Sequence, residues 1–355
     1  MTPNRPEDGI KITLEDLAAV EIPEKTAQPL PPPDAANRSY GSIKDASDQA
    51  PETAQERGSI FLQGWFYLGA AGLLGALAGW AICEPGFSDA QSGRHWGNFV
   101  MVPVLMALMS LGFGIAESIV ERSMQKAILR TALSLPLGLL LGFIFFMVAN
   151  IVFGISVAMC AAIGVTTNHS PAFWIARSIA WTIFGAAGGL VYGIVGQSFK
   201  KGKFGVLGGL LGAFIGGFLF DPISIGTGGA SAALSRAVGF GIFGLATGAM
   251  MGVVESALKD RWFYVTAGPL AGKQFILYKS QTTIGSDQRS DIYLFKDSAI
   301  LPSHALLASS GSRITLRAVG PVLVSGVPVT NRVLLDGDLV QIGRYTFRYK
   351  ERARA

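Results

Sequence analysis

Between residues 61 and 258 the chain is apolar almost without interruption, and this stretch limits what the polypeptide can fold into. In lipid every backbone N–H and C=O must be satisfied internally, so only helices and closed barrels cross a bilayer. About 20 apolar residues span the hydrocarbon core as a helix. Six runs qualify: 61–82, 99–119, 132–153, 172–197, 204–220 and 237–258. Apolar sequence continues from 154 to 165 after the third, which is therefore expected to be long, kinked or followed by a re-entrant piece. The fifth is short. The whole chain is 50% hydrophobic and 15% charged, against about 25% charged in ordinary soluble domains.

The 45 glycines are concentrated in these runs. Glycines four apart share one helix face and let neighbouring helix backbones approach closely. Gly185/Gly189/Gly193, Gly208/Gly212/Gly216 and Gly244/Gly248/Gly252 are such ladders, expected to pack helices. Gly72–Gly79 matches Gly209–Gly216, with a looser copy at Gly138–Gly142, and the even runs share a second pattern at Gly114, Gly189 and Gly248. Three two-helix repeats are the expectation. The repeated Pro-x-acid-x-x-base signature of the mitochondrial carriers, which are also built from three two-helix units, is absent.

Charge sets the orientation. Arg122, Lys126 and Arg130 fall between runs two and three, Lys200, Lys201 and Lys203 between four and five, and Lys259 and Arg261 after six. The opposite connections carry Glu84, Asp89, Arg94, His169, Asp221 and Arg236. The positive-inside rule puts both termini in the cytosol, with a bacterial plasma membrane as the expected setting. The net charge of +5 is absorbed by this topology, and no basic patch with interleaved aromatics suggests nucleic acid.

No secretory signal is expected, because the first apolar run begins only at Phe61. Residues 1–58 are polar and Pro-rich, with Pro29-Leu30-Pro31-Pro32-Pro33, and read as a disordered cytosolic arm. Within it, residues 10–20 could form a short amphipathic helix that docks on a partner, or one that forms transiently with none. Cys83 and Cys160, the only cysteines, have no metal-ligand spacing. Two lipid-buried thiols are expected, a disulfide being the alternative on an oxidising face. His95, His169 and His304 are scattered. No nucleophile–base pair, metal cluster or phosphate-cradling turn is recognised, so no catalytic residue, metal or cofactor is expected and the chain is read as a non-enzyme.

From Trp262 the pattern changes to short strands punctuated by turns, which predicts a β-sandwich over 262–350. The order of landmarks resembles a forkhead-associated (FHA) domain. A Gly-rich turn, Gly268 to Gly272, precedes Phe275; Thr283-Ile284-Gly285 stands where the family has its first glycine motif; Asp291-Ile292-Tyr293-Leu294 and Asp297 follow. His304-Ala305 takes the family's histidine position, Val324-Ser325-Gly326 resembles its Val-Asn-Gly stretch, and residues 335–343 resemble its late Leu-x-x-Gly-Asp and Ile-Gly motifs. Members of the family bind phosphothreonine peptides through loop side chains. This chain departs from them there: Ser286 replaces the arginine after the first glycine, Leu301 the loop serine, Pro302 the next common arginine, and Gly320 lies near the usual asparagine. Arg289, Ser298 and Ser303 are the nearby groups that could compensate. The resemblance implies a partner-binding rim at Ser286, Arg289, Ser298, Ser303 and Gly320, with Gly285 and His304 as framework. Degenerate modules of this kind also resemble the cytosolic part of inner-membrane ring proteins of type III secretion systems. That likeness is to the domain alone, since six spans are not that family's architecture.

The expected protein is therefore multi-domain: a disordered arm (1–58), a six-helix all-α transmembrane bundle (59–260) and an all-β FHA-like sandwich (262–350). It reads as a multi-pass membrane scaffold or signalling protein, touching membrane lipid, whose cytosolic module binds a protein or peptide, phosphorylated or not. The alternative is a transporter or channel regulated by that module. Thr13-Leu14-Glu15-Asp16 has an acidic residue three after a threonine, a spacing some FHA domains prefer, so a phosphorylated arm could engage the module. The oligomeric state is not legible.

Overall fold

The computed structural model describes residues 60–88, 95–167, 169–226, 232–311 and 313–352. The arm, with its amphipathic segment and Thr13, lies outside them. Six helices follow a short 3₁₀ turn: α1 (Gly64–Cys83), α2 (Trp96–Val120), α3 (Met124–Ala162), α4 (Pro171–Val195), α5 (Phe199–Gly226) and α6 (Ala232–Ala257). All six are long and apolar enough to cross a membrane. Each packs on its neighbours in sequence, and α6 also packs on α1, closing a ring.

The glycine ladders sit in three successive seams of that ring. Gly185, Gly189 and Gly193 on α4 meet Gly209, Gly205 and Gly202 on α5, where an added Cβ would overlap the opposing backbone. Gly208, Gly212 and Gly216 take the other face of α5 onto α6, with Gly216 facing the Phe243 Cα at 2.6 Å from such a Cβ. Gly244, Gly248 and Gly252 then carry α6 onto Gly72, Leu68 and Gly64 of α1.

Of the three forms open to the third run the structure shows the long one: α3 is one continuous helix of 39 residues, with neither a break nor a re-entrant segment after 153. The placing of two charges is corrected. Lys126 and Arg130 do not lie in a connecting loop. Ser123 caps α3 by accepting the Lys126 N–H, so the helix begins before both. They pair instead with α2 and its C-cap: Lys126 with Glu121 at 3.0 Å, and Arg130 with Glu117 and Glu121 at 3.4 Å each. Lys201 completes the cluster on Glu117. At the other end of the bundle Arg177 pairs with Asp221 at 2.8 Å and Arg236 with Glu84. Cys83 and Cys160 are buried free thiols.

The C-terminal region is a two-sheet sandwich of eleven strands: β1 (Arg261–Ala267), β2 (Gln274–Ile276), β3 (Gln281–Gly285), β4 (Ile292–Tyr293), β5 (Ala305–Ser310), β6 (Arg313–Ala318), β7 (Leu323–Val324), β8 (Val327–Pro328), β9 (Asn331–Leu334), β10 (Leu339–Ile342) and β11 (Tyr345–Glu351). One sheet has the order β2-β1-β11-β10-β7-β8 and the other β4-β3-β5-β6-β9. Among the described residues only β3 and β4 pair in parallel, Ile284 opposite Ile292. Inward residues alternate along the strands, as in β11, where Tyr345, Phe347 and Tyr349 are fully buried between the sheets.

Candidate functional site: the loop rim of the sandwich

Three loops gather at one end of the sheets: β3–β4 (286–291), β4–β5 (294–304) and β6–β7 (319–322). His304, 1% exposed, holds two of them together. Its Nδ1 accepts the Leu301 N–H at 3.1 Å, and its Nε2 lies 3.0 Å from the Pro321 carbonyl oxygen. An amide only donates and a carbonyl only accepts, so the ring is the neutral tautomer with its proton on Nε2. The His304 carbonyl in turn accepts the N–H groups of Val319 and Gly320. Gly320 lies flat on the imidazole, where a Cβ would overlap the ring, and Gly285 lies against the Pro302 carbonyl in the same way.

The β3–β4 loop is tied to the β4–β5 loop just as closely. The Ser286 N–H donates to the Leu301 oxygen at 3.0 Å and the Ser286 hydroxyl to the Ile300 oxygen at 2.7 Å. The Ser290 hydroxyl donates to the Pro302 oxygen at 3.2 Å. A serine hydroxyl has one proton to donate, so neither Ser286 nor Ser290 has one left for an incoming oxyanion. At the base of the loop Asp291 accepts the Thr283 amide at 2.9 Å and the Lys279 ammonium at 2.8 Å. Burial pushes this carboxyl up, but those donors outweigh it and hold the group below its usual range. Asp297 anchors the next loop, accepting the N–H groups of Ala299 and Arg344, which lower its pKa.

Exposed on the rim are Arg289, Ser298, Ser303 and the apolar Leu301 and Val319, together with Asp287, Lys296, Ala299, Pro302 and Pro321. The Arg289 guanidinium pairs with no carboxylate among the described residues. Of the residues expected to contact a partner, Arg289, Ser298 and Ser303 are thus presented outward. Ser286 is half-buried and spent internally, and Gly320 is covered by His304.

A second set of contacts carried no signal in the sequence. The outer side of the same loops faces the α2–α3 turn of the bundle. The Ser123 hydroxyl donates to the Gln288 oxygen at 3.0 Å, the Gln125 N–H to Gln288 Oε1 at 3.2 Å, and Lys126 Nζ to the Asp291 carbonyl at 3.0 Å. The Arg122 guanidinium stacks over Phe295 at 5.3 Å. Beside them the Tyr278 hydroxyl reaches Glu255 of α6, and Arg352 caps the Ala257 carbonyl at 2.8 Å.

Comparison with known proteins bears on this domain. A family model described as the cytoplasmic domain of the inner membrane component of T3SS (Yop-YscD_cpl) matches residues 264–352. The glycogen accumulation regulator GarA of Mycolicibacterium smegmatis is 34% identical over 101 residues. That match covers 28% of this chain, and the chain spans 63% of the relative's length. Among solved structures, the FHA domain of the CT664 protein from Chlamydia trachomatis is 25% identical with a TM-score of 0.25, covering 26% of this chain and 99% of that one. An FHA domain solved for the structural and functional analysis of phosphothreonine-dependent FHA interactions is 19% identical with the same score, covering 27% of this chain and 99% of that one. The family match, the relative, the two-sheet topology and the histidine-braced loops agree: the C-terminal region of this membrane protein is a forkhead-associated domain.

Proposed function

We propose that the chain is a multi-pass scaffold of the plasma membrane, with both termini cytosolic, whose FHA domain binds a protein partner with weak or no dependence on phosphothreonine. Protein binding is what FHA domains do, and the basic residues around the α2–α3 and α4–α5 turns support the cytosolic side for the module. The phosphate-independent part rests on one observation: the Ser286 hydroxyl is committed to the Ile300 carbonyl while Leu301 stands exposed beside it. A hydrogen bond to a charged group contributes only about 1.5–3 kcal/mol, so a phosphate needs several, and this rim offers the Arg289 and Lys296 cations and the Ser298 and Ser303 hydroxyls, with the exposed Asp287 carboxylate among them. An extended segment with an apolar residue for Leu301 and Val319 and a carboxylate for Arg289 fits that chemistry. No residue here is assigned a catalytic role.

The test is site-specific photo-crosslinking of the full chain in native membranes, with the probe at Arg289 or Ser303. Capture of a defined protein is expected, unchanged when the membranes are first treated with phosphatase. Loss of the product after phosphatase would overturn phosphate independence, and a pattern no different from a probe at Val333 on β9 would overturn the rim as the binding surface. The alternative, a transporter or channel regulated by the FHA domain, draws on the Tyr278–Glu255 contact at one mouth of the helical ring, and solute flux in proteoliposomes separates it from the scaffold.

A further inference from the structure

The α4–α5 hairpin carries an apolar groove. It has a cavity volume of about 580 Å³, within the roughly 300–1,000 Å³ typical of ligand pockets. Its walls are Leu190 and Ile194 on α4 and Leu207 and Leu210 on α5. Its base is closed by Gly193 and Gly202, whose backbones touch because neither carries a Cβ. Such a trough, apolar along its length and open on the side away from the bundle core, suits an acyl chain. The groove ends at the turn between the helices, where the chain meets the membrane interface. The turn spends its own backbone groups locally: the Gln197 N–H bonds the Ile194 oxygen and the Ser198 N–H the Gly193 oxygen.

Three lysines follow within five residues, and their fates differ. Lys201 is buried and paired with Glu117. Lys200 is exposed and pairs with Asp260 at 3.3 Å. Lys203 lines the groove, is exposed, and meets no carboxylate among the described residues; its ammonium lies 4.7 Å from the centre of the Phe199 ring. Phe199, also at the rim, is 80% exposed, so an apolar ring stands beside the Lys203 ammonium at the mouth of the groove. An unmatched cation at the headgroup level, directly above an apolar trough, selects for a negative headgroup; basic pockets between membrane helices act in this way. Because the trough is concave and closed at its base, it holds one chain in register with Lys203, which a flat lipid-facing surface cannot do.

We propose that this groove is a binding site for one anionic phospholipid, its acyl chain between α4 and α5 and its phosphate on Lys203. The site is separate from the FHA rim and does not depend on the partner proposed for it.

The experiment is native mass spectrometry of the full chain, purified in detergent and titrated with phosphatidylglycerol or phosphatidylcholine of the same chain length. Phosphatidylglycerol should be retained roughly fivefold better, the weight of one lysine near an anionic headgroup. Lys203→Gln should abolish the preference and Lys203→Arg restore it. Leu207→Trp should fill the trough and lose phosphatidylglycerol with Lys203 still present, and Ile194→Trp on the opposite wall does the same should the first variant fail to fold. Equal retention of the two lipids, a preference that survives Lys203→Gln, or retention unchanged in both tryptophan variants would overturn the proposal. So would a dimer free of lipid, which would mean that a second copy of the chain fills the groove.

Discussion

At the scale of single residues, His304 has the largest structural consequence in the FHA domain. Both ring nitrogens are used, each on a backbone group of one of the two loops it joins. His304→Ala leaves the Leu301 N–H and the Pro321 carbonyl without their partners. An unsatisfied buried group costs about 1–3 kcal/mol, and the lost ring leaves a void under Gly320, so a loss of about 2–5 kcal/mol is expected. The decisive measurement is amide hydrogen exchange in the full chain. Protection should fall first at Ile300, Leu301, Val319 and Gly320, while α4 and α5 keep theirs. Uniform loss across all strands would instead make His304 an ordinary core residue. Ser286 behaves oppositely. Its hydroxyl bond is local, and Ser286→Ala removes one donor from a carbonyl that is only partly enclosed, a change of about 0.5–1.5 kcal/mol.

At the scale of elements, the helices are specified by where glycine meets backbone. At Gly212 an added Cβ would overlap the Ala246 carbonyl, whereas at Gly154, in the outer half of α3, it would meet nothing within 4 Å. Gly212→Leu should therefore open the α5–α6 seam, at a cost above the roughly 1–3 kcal/mol of ordinary overpacking because the obstacle is main chain. Gly154→Leu should be neutral or slightly stabilising, as expected where glycine only costs helix propensity. Thermal unfolding of the two variants in detergent checks this, and equal melting temperatures would remove the ladders from the account of packing. This distinction marks how far the sequence could be read. Six apolar runs and the spacing Gly208/Gly212/Gly216 are legible, because period and composition carry them. The continuity of α3 is legible only as one of three forms: the apolar sequence to 165 allows a long helix, a kink or a re-entrant piece, yet a break inside lipid would strand backbone groups, and the helix runs on to Ala162, just before Gly164 at φ +80°. In the sandwich the strand alternation and the His304 position are legible, since they are periodic or motif-bound. The partner of the Ser286 hydroxyl is a carbonyl 14 residues away, and Gln288 meets Ser123 across 165 residues. Contacts of that kind depend on loop closure and leave no trace in spacing. The same is true of β8, two exposed residues held by pairing with β7 alone.

At the scale of the whole molecule, the FHA domain is clasped to one end of the bundle, and the clasp buries a lysine. Lys273, 7% exposed, has its ammonium 4.5 Å from the centre of the Phe275 ring, near Glu121 and Glu117 but also near Lys126 and Arg130. Burial is the main cause that brings its pKa down to about 8, against the pull of the two carboxylates, from an ordinary value of 10.5. The sign of the pH dependence follows. Below pH 8 the lysine is charged in both folded and unfolded chains, and the folded state bears the full cost of burying it. Between pH 8 and 10.5 the unfolded chain holds the proton and the folded one has released it, so stability rises with pH, by roughly 3 kcal/mol over the window if Lys273 acted alone. Tyr278, Tyr345 and Tyr349 work the other way. Burial raises all three, so the stability they confer is present below pH 10 and is lost above it. The folded chain should accordingly gain stability from pH 8 upward and be most stable near pH 10. Lys273→Met keeps the length and apolar stem of the side chain and removes the proton; it should raise the melting temperature at pH 7 and flatten the rise between pH 8 and 10, leaving the fall above pH 10 untouched. Thermal unfolding of wild type and variant in nanodiscs, followed by near-UV circular dichroism at half-unit steps of pH, reads both limbs. A wild-type curve flat from pH 7 to 10, or a variant that retains the rise, would show that Lys273 reaches water and that the domain is not held against the bundle at that corner.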